Sequence, residues 1–264
     1  MSMTLYYLSA TGNSLQMAKE LALQLNSEET VRLISVPDAL KNGDLQPVGP
    51  VGFIFPLHFF ALPLLAETFL AKIDLTQADY TFSVITAGFH YISNAFAELS
   101  LLVEKVGGSL NAAFYIDMVS VYLPLGDLPS ERKTEKKLLA AKKRLTKIAA
   151  QIHQRDNVHP IEFLSWPSKV MHQMVQKHPE KLDEDFLAMT SCTGCGLCVQ
   201  ICPKQNIHLD DQHVPVWQHE CTQCLACLHS CPAQAIEIGQ KTQGKRRYRH
   251  PDITLKELLP LKKD

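Results

Sequence analysis

The chain reads CTGCGLCVQICP from Cys192 to Pro203 and CTQCLACLHSCP from Cys221 to Pro232, and these two stretches contain all eight of its cysteines. Each follows the pattern C-x-x-C-x-x-C-x-x-x-C-P. A shift of 29 positions, from 192 to 221, superimposes every cysteine and the proline after the fourth, and it also aligns Ile207 with Ile236. The two stretches are therefore an internal repeat, from which the rest of the chain can be interpreted.

The spacing of the cysteines favours iron–sulfur clusters. Three cysteines at intervals of three on a tight loop direct their sulfurs around one small object, whereas the fourth lies four residues further on and faces elsewhere. In the bacterial [4Fe–4S] pattern this fourth cysteine ligates the other cluster. We therefore predict two [4Fe–4S] clusters, the first held by Cys192, Cys195, Cys198 and Cys231, and the second by Cys221, Cys224, Cys227 and Cys202.

Other uses of eight cysteines fit the pattern less well. A disulfide framework is typical of secreted chains, and the N-terminus shows no secretory signal. Structural zinc uses two C-x-x-C pairs and has no use for a third cysteine at the same step. A cluster with a purely structural role is the remaining alternative, because ligation alone does not show that electrons flow. The repeat resembles two-cluster bacterial ferredoxins, which implies one-electron transfer at low potential.

Length and composition indicate one ordinary domain and a small second one. The 264 residues are 46% hydrophobic and 20% charged, with a formal net charge of −1. This balance predicts a globular protein that does not bind nucleic acid. The longest apolar run, 51–66, is broken by two prolines and a histidine, so we expect no integral membrane segment. Reduced cysteines without a targeting signal indicate the cytoplasm.

A hydroxyl-rich loop near the N-terminus predicts an anion site. The apolar run 4–8 reads as a buried strand, residues 9–14 read SATGNS, and apolar residues at helical spacing follow from Leu15. Hydroxyls, an amide and backbone N–H groups would converge at a helix N-terminus, where a phosphate binds well. The alternative is that these side chains merely cap the helix.

Alternating strands and helices predict the architecture of the first part of the chain. Strands are expected at 31–36, 51–55, 80–86 and 112–118, with helices at 64–72, at 95–106 and after Pro129-Ser130. This order predicts an α/β fold, a doubly wound five-stranded parallel sheet in the order 2-1-3-4-5. Its ligand would lie beyond the carboxyl ends of the strands, between strands one and three.

The loop after strand one closely resembles the FMN phosphate loop of flavodoxins. This resemblance implies that FMN is the cofactor and that the loops after strands three and four sandwich its isoalloxazine ring. The aromatic side chains suit stacking on a flat ring, although Phe55, Phe59 and Phe89 would serve equally in a core. The implied phosphate contacts are Ser9, Thr11, Gly12, Asn13 and Ser14, and the implied ring contacts are Pro56, Leu57, His58, Phe59, Phe60, Thr86, Ala87, Gly88 and Phe89.

The organisation predicted from these features has four parts: a flavodoxin-like domain at 1–153, a connector at 154–184, a small α+β ferredoxin domain at 185–240 and a basic tail at 241–264. The connector contains three prolines and one predicted helix at 170–177. The ferredoxin part carries five acidic residues against Lys204 alone, whereas the tail carries eight basic and three acidic residues. These opposite charges would attract each other or face separate partners.

Trp217 and four histidines lie near the cysteines. Trp217 lies between the two repeats, where it would shield a cluster from water or simply pack. The eight thiolates already satisfy two clusters, so the neighbouring histidines are expected at the surface; these are His208, His213, His219 and His229.

Taken end to end, the chain resembles the family of flavodoxin–ferredoxin fusion electron-transfer proteins. The resemblance implies electron transfer between FMN and the two clusters, inside the molecule and to redox partner proteins. One alternative is an FMN-dependent reductase of a small quinone, nitro or tetrapyrrole substrate, with His58 or His90 as a weak candidate proton donor. Another is a redox or iron sensor whose clusters never cycle. No catalytic residue is predicted.

Overall fold

A five-stranded parallel sheet forms the centre of the larger of two units in the molecule. The computed structural model describes residues 2–26, 30–91, 93–160 and 181–260. The strands are β1 (Ser2–Tyr7), β2 (Thr30–Ser35), β3 (Pro50–Pro56), β4 (Tyr80–Ala87) and β5 (Leu110–Asp117). They lie in the order β2-β1-β3-β4-β5, and every neighbouring pair is parallel. This order is the flavodoxin-like one and confirms the predicted fold class.

Helices cover both faces of this sheet, which explains why its strands are apolar on both sides. They are α1 (Asn13–Leu25), α2 (Val36–Asn42), α3 (Leu64–Leu70), α4 (Ala95–Lys105) and α5 (Glu131–His153). α1 and α5 pack on one face around Leu21, Phe82 and Leu145. α2, α3 and α4 pack on the other face around Phe53, Phe69 and Leu99.

The short helix α2 is the element that the periodicity did not predict. It has only seven residues, too few for an amphipathic pattern to emerge. Its signals are local instead. The Ser35 hydroxyl accepts from the backbone N–H of Asp38, Pro37 occupies the first turn, and Gly43 ends the helix in the left-handed conformation.

The cysteine repeats form a second, smaller unit with its own core. It contains two antiparallel pairs, β6 (Phe186–Ala188) with β9 (Ile236–Ile238) and β7 (Ile207–Leu209) with β8 (Pro215–Trp217). The short helices α6 (Leu197–Ile201) and α7 (Ala226–Ser230) each contain the third cysteine of a repeat, and α8 (Leu255–Leu258) lies further along the chain. Trp217 is buried and packs against Phe186, with ring centroids 5.4 Å apart.

Two further expectations concern the connector helix and membrane-spanning helices. The connector helix predicted at 170–177 lies outside the described residues. In the described part of the chain, no helix combines the length and the apolar character needed to cross a membrane.

Gly52 on β3 is fixed by close packing in the sheet core. A Cβ at this position would lie 2.5 Å from Cζ of Phe82 and 2.6 Å from Cδ2 of Leu5. Gly52→Ala is therefore expected to lower the free energy of unfolding by about 1–3 kcal/mol through overpacking. Urea denaturation measures the change.

Gly126→Ala is the matched control, because nothing lies within 4 Å of a Cβ there. This surface substitution should leave the unfolding free energy within about 0.5 kcal/mol of the wild type. Equal losses in the two variants would contradict the packing described for β3.

Candidate functional site

Two cavities in the smaller unit are each lined by four cysteines. One is lined by Cys192, Cys195, Cys198 and Cys231. The other is lined by Cys202, Cys221, Cys224 and Cys227. Three cysteines in each set come from one repeat and the fourth from the other repeat, which is the grouping predicted from the sequence. All eight cysteines are free thiols. The donor set therefore fits two cubane clusters.

The backbone supports the cysteine sulfurs symmetrically. The N–H of Asn206 donates to the Cys202 sulfur, and the N–H of Ala235 donates to the Cys231 sulfur, both at 3.3 Å. Asn206 and Ala235 are themselves 29 positions apart. Hydrogen bonds to ligand sulfur are one of the means by which a protein sets a cluster's potential.

Burial makes several of these thiols reluctant to ionise. It raises the pKa of Cys198 and of Cys224 to about 11, and raises the pKa of Cys221 and Cys227 as well. A bound cation reverses this, because it deprotonates a coordinating thiol outright. Within the described ranges, no group of three or more His, Cys, Asp or Glu side chains is placed for a single metal ion. A cluster instead spreads its four cysteines over a larger inorganic core.

The hydroxyl-rich loop lies between β1 and α1 at the carboxyl edge of the sheet. Gly12 adopts φ 97°, a left-handed conformation, and its N–H donates to the Ser9 hydroxyl at 3.1 Å. The Ser14 hydroxyl lies 2.8 Å from that of Thr86 at the end of β4. α1 begins directly after the loop, so its first N–H groups lack intrahelical acceptors and can bind an anion.

A cavity opens beside this loop. Ten of the fourteen predicted cofactor residues line it: Ser9, Thr11, Asn13, Ser14, Pro56, Leu57, His58, Thr86, Ala87 and Gly88. The hydroxyl-rich loop suits a phosphate, and the apolar lining residues Leu8, Leu57 and Met118 suit a flat ring. The cavity therefore fits FMN.

The other four predicted residues do not line the cavity. Gly12 shapes the loop from behind, whereas Phe59 and Phe60 occupy a tight turn between His58 and Ala61 with φ of 47° and 60°. That turn directs their rings to other partners. Phe59 packs against Tyr122 and Phe60 against Phe89, with centroids 5.6 and 6.1 Å apart. Phe89 itself is 50% exposed.

Three further segments complete the cavity wall, and sequence patterns did not indicate them. The first is the loop after β5, 118–122, and the second is the cysteine loop 222–226. The third is 257–260, near the end of the chain. The position of β5 beside β4 brings the first to the same sheet edge. The other two reach the cavity from the smaller unit and the tail, which no local spacing reveals.

The tail, described from 241 to 260, contacts both units, and we call it the strap. The Tyr248 hydroxyl donates to Asn13 Oδ1 at 2.8 Å, and the Asn13 amide donates to the Val119 carbonyl at 3.1 Å. The Tyr248 backbone N–H donates to His229 Nδ1 at 3.1 Å, and His229 Nε2 lies 2.8 Å from the Val121 carbonyl. Because Nδ1 accepts, the proton is on Nε2 and the imidazole is neutral.

His229 corrects the expectation that the four nearby histidines lie at the surface. It is 6% exposed, and burial lowers its pKa to about 4. The same hydrogen-bond chain occupies the side-chain amide of Asn13, which leaves the hydroxyls and backbone N–H groups of the loop as its main groups available to an anion.

Further tail contacts fix the loop and balance the charges. The His250 N–H donates to the Thr11 carbonyl at 2.8 Å, and a Cβ on Gly12 would lie 3.0 Å from Cβ of both His250 and Ile253. Arg247 and Glu237 form an ion pair at 2.6 Å, with side chains 7% and 6% exposed. The opposite charges of the tail and the cysteine unit therefore meet inside the molecule.

Comparisons with known proteins cover the two units separately. The family described as 4Fe-4S dicluster domain matches residues 191–236. No curated protein matches the chain. Among solved structures, a flavodoxin from Streptococcus pneumonia TIGR4 is 15% identical, covers 59% of this chain and 99% of its own, and has a TM-score of 0.41.

Two other flavodoxins give similar values. The Megasphaera elsdenii flavodoxin is 15% identical over 53% of this chain and 98% of its own, with a TM-score of 0.37. A flavodoxin from the domain Archaea is 19% identical over 58% and 99%, with a TM-score of 0.34. At these scores the fold assignment depends on the strand order of the sheet.

Tyr248→Phe tests the strap. The substitution keeps the ring but leaves the buried Asn13 oxygen without its donor, so the free energy of unfolding should fall by about 1–3 kcal/mol. Chemical denaturation monitored by circular dichroism measures it. Tyr91→Phe removes a hydroxyl from a side chain that is 68% exposed and should have no measurable effect. An unchanged Tyr248→Phe protein would contradict the role of the strap.

Proposed function

We propose that this chain, a flavodoxin-like domain fused to a 4Fe-4S dicluster domain, is a redox carrier that transfers electrons between FMN and two [4Fe–4S] clusters and exchanges them with partner proteins. When bound, flavin exchanges one or two electrons and each cluster exchanges one. The protein is proposed to work in the cytoplasm, where its eight free thiols remain reduced.

One observation carries this proposal: the cavity beside the hydroxyl-rich loop and the cavity of the second cysteine set share residues. Thr222, Cys224, Leu225, Ala226 and Pro203 line both. A thin layer of protein therefore separates the two sites. Two redox groups held so close have a very high effective concentration for one another.

Different segments of the chain would bind different parts of the flavin. The hydroxyls of Thr11 and Ser14 and the N-terminus of α1 would bind the phosphate. Leu57, Ala87 and Val119 would contact the ring from the sheet edge. Leu258 and Leu259 of the tail would cover the cavity and keep water from it.

The iron, sulfide and flavin content of the purified protein tests the proposed cofactors. Protein purified without oxygen should contain about eight iron and eight sulfide per chain, as two cubanes require, together with about one FMN. Metal, sulfide and flavin assays give these numbers, and a redox titration should show both groups cycling. Zinc in place of iron, absence of flavin, or clusters that never change oxidation state would contradict the proposal.

Acceptor preference separates a carrier from a reductase. His58 lines the cavity, so a small quinone or nitro compound reduced there would find an imidazole nearby. As a carrier, the reduced protein should pass electrons rapidly to protein acceptors and only slowly to such small molecules. Steady turnover of a small substrate at a rate that His58→Ala abolishes would favour the reductase instead.

A further inference from the structure

The two cysteine repeats differ at two positions that share an unusual backbone conformation. In the first repeat these are Gly194 and Gly196, with φ of 66° and 72°. In the second repeat, 29 positions on, they are Gln223 and Leu225, with φ of 49° and 62°. The left-handed conformation suits glycine and strains other residues. Strain of this kind persists where the surrounding structure compensates for it.

Contacts with the flavodoxin-like domain and the connector compensate for the backbone strain at Gln223. Its Oε1 accepts from the Tyr122 hydroxyl at 2.5 Å, and its Nε2 donates to the Leu182 carbonyl at 2.6 Å. Its own carbonyl lies 3.3 Å from Nε2 of His58. One strained residue thus joins the second cysteine loop to the loops that follow β3 and β5.

Leu225 adds an apolar contact at the same place. It is 2% exposed and, like Gln223, lines the cavity beside the hydroxyl-rich loop. Both departures from glycine therefore face this cavity.

The first loop shows the opposite arrangement. A Cβ on Gly194 would lie 2.8 Å from Cβ of His213, a residue of the cysteine unit itself. Cys195 is exposed to solvent. Among the described residues, none of 192–198 lines the larger cavity. The pseudo-symmetric unit is thus oriented with its second loop inward and its first loop outward.

We infer that Gln223 is a positioning residue that docks the second cysteine loop against the flavin cavity, so that the cluster of Cys221, Cys224, Cys227 and Cys202 is the one adjacent to FMN. The inference rests on the proposed function for the identity of the two cofactors. The docking itself rests only on the contacts of Gln223.

Gln223→Gly tests the inference, with Gln234→Gly as a matched control. Gln234 also follows a cysteine of the repeat, has φ 48° and is exposed, so both substitutions place glycine where the backbone favours it. After photochemical reduction of the flavin with a sacrificial electron donor, the rate of electron exchange with the clusters should fall roughly tenfold or more in Gln223→Gly. Gln234→Gly should keep the wild-type rate. Equal rates in the two variants would overturn the inference.

A second measurement needs no flavin. Tyr122→Phe, Gln223→Gly and the double variant, all with their clusters, are unfolded in urea. The shift in midpoint for the double variant should be smaller than the sum of the single shifts, because both substitutions remove the same hydrogen bond. Additive shifts would overturn the docking role of Gln223. A wild type without FMN would defeat the proposed function, and the urea measurement would still decide whether Gln223 docks the loop.

Discussion

A chain of hydrogen bonds holds the hydroxyl-rich loop, the tail, helix α7 and the loop after β5 together. It runs from Val119 through Asn13 and Tyr248 to His229 and Val121. Asn13, Tyr248 and His229 are all buried, and a buried polar group left without a partner is costly. Each of the three is therefore satisfied only when the hydroxyl-rich loop, the tail and helix α7 are together. Folding of the two units and closure of the strap are consequently coupled.

The larger cavity is correspondingly lined by residues of both units. A flavodoxin-like domain has its ligand edge open to solvent unless something covers it, and here the second cysteine loop and the tail cover it. The thiols of that loop include Cys221 and Cys227, whose burial raises the pKa of both, so they depend on a bound cation to become thiolates. Buried thiols with raised pKa values therefore belong to the loop that lines the larger cavity.

The sequence predicted those parts of the structure that local spacing encodes. Alternating apolar strands and amphipathic helices gave the sheet, and the 29-residue repeat predicted the two cysteine sets that line separate cavities. Periodicity has no access to contacts between distant residues. Tyr248 contacts Asn13 across 235 positions, and the buried His229 contacts the tail at Tyr248 and the loop after β5 at Val121.

Backbone conformation was equally hidden in the sequence. Phe59 and Phe60 have positive φ values, and their rings pack against Tyr122 and Phe89, which spacing along the chain does not reveal. Gln223 looked like an unremarkable residue between two cysteines until its conformation was compared with that of Gly194. The replacement of Gly194 by Gln223 at the equivalent position of the second repeat is the sequence signal there.

In the proposed function, electrons pass between FMN in the larger cavity and the cluster of the second cysteine set within one molecule. The most direct measurement is the dependence of the flavin-to-cluster exchange rate on protein concentration after a light pulse. We predict a first-order rate constant that does not change as the protein is diluted, because both groups belong to the same chain. A rate that falls in proportion to concentration would show that electrons pass between molecules and would contradict the account.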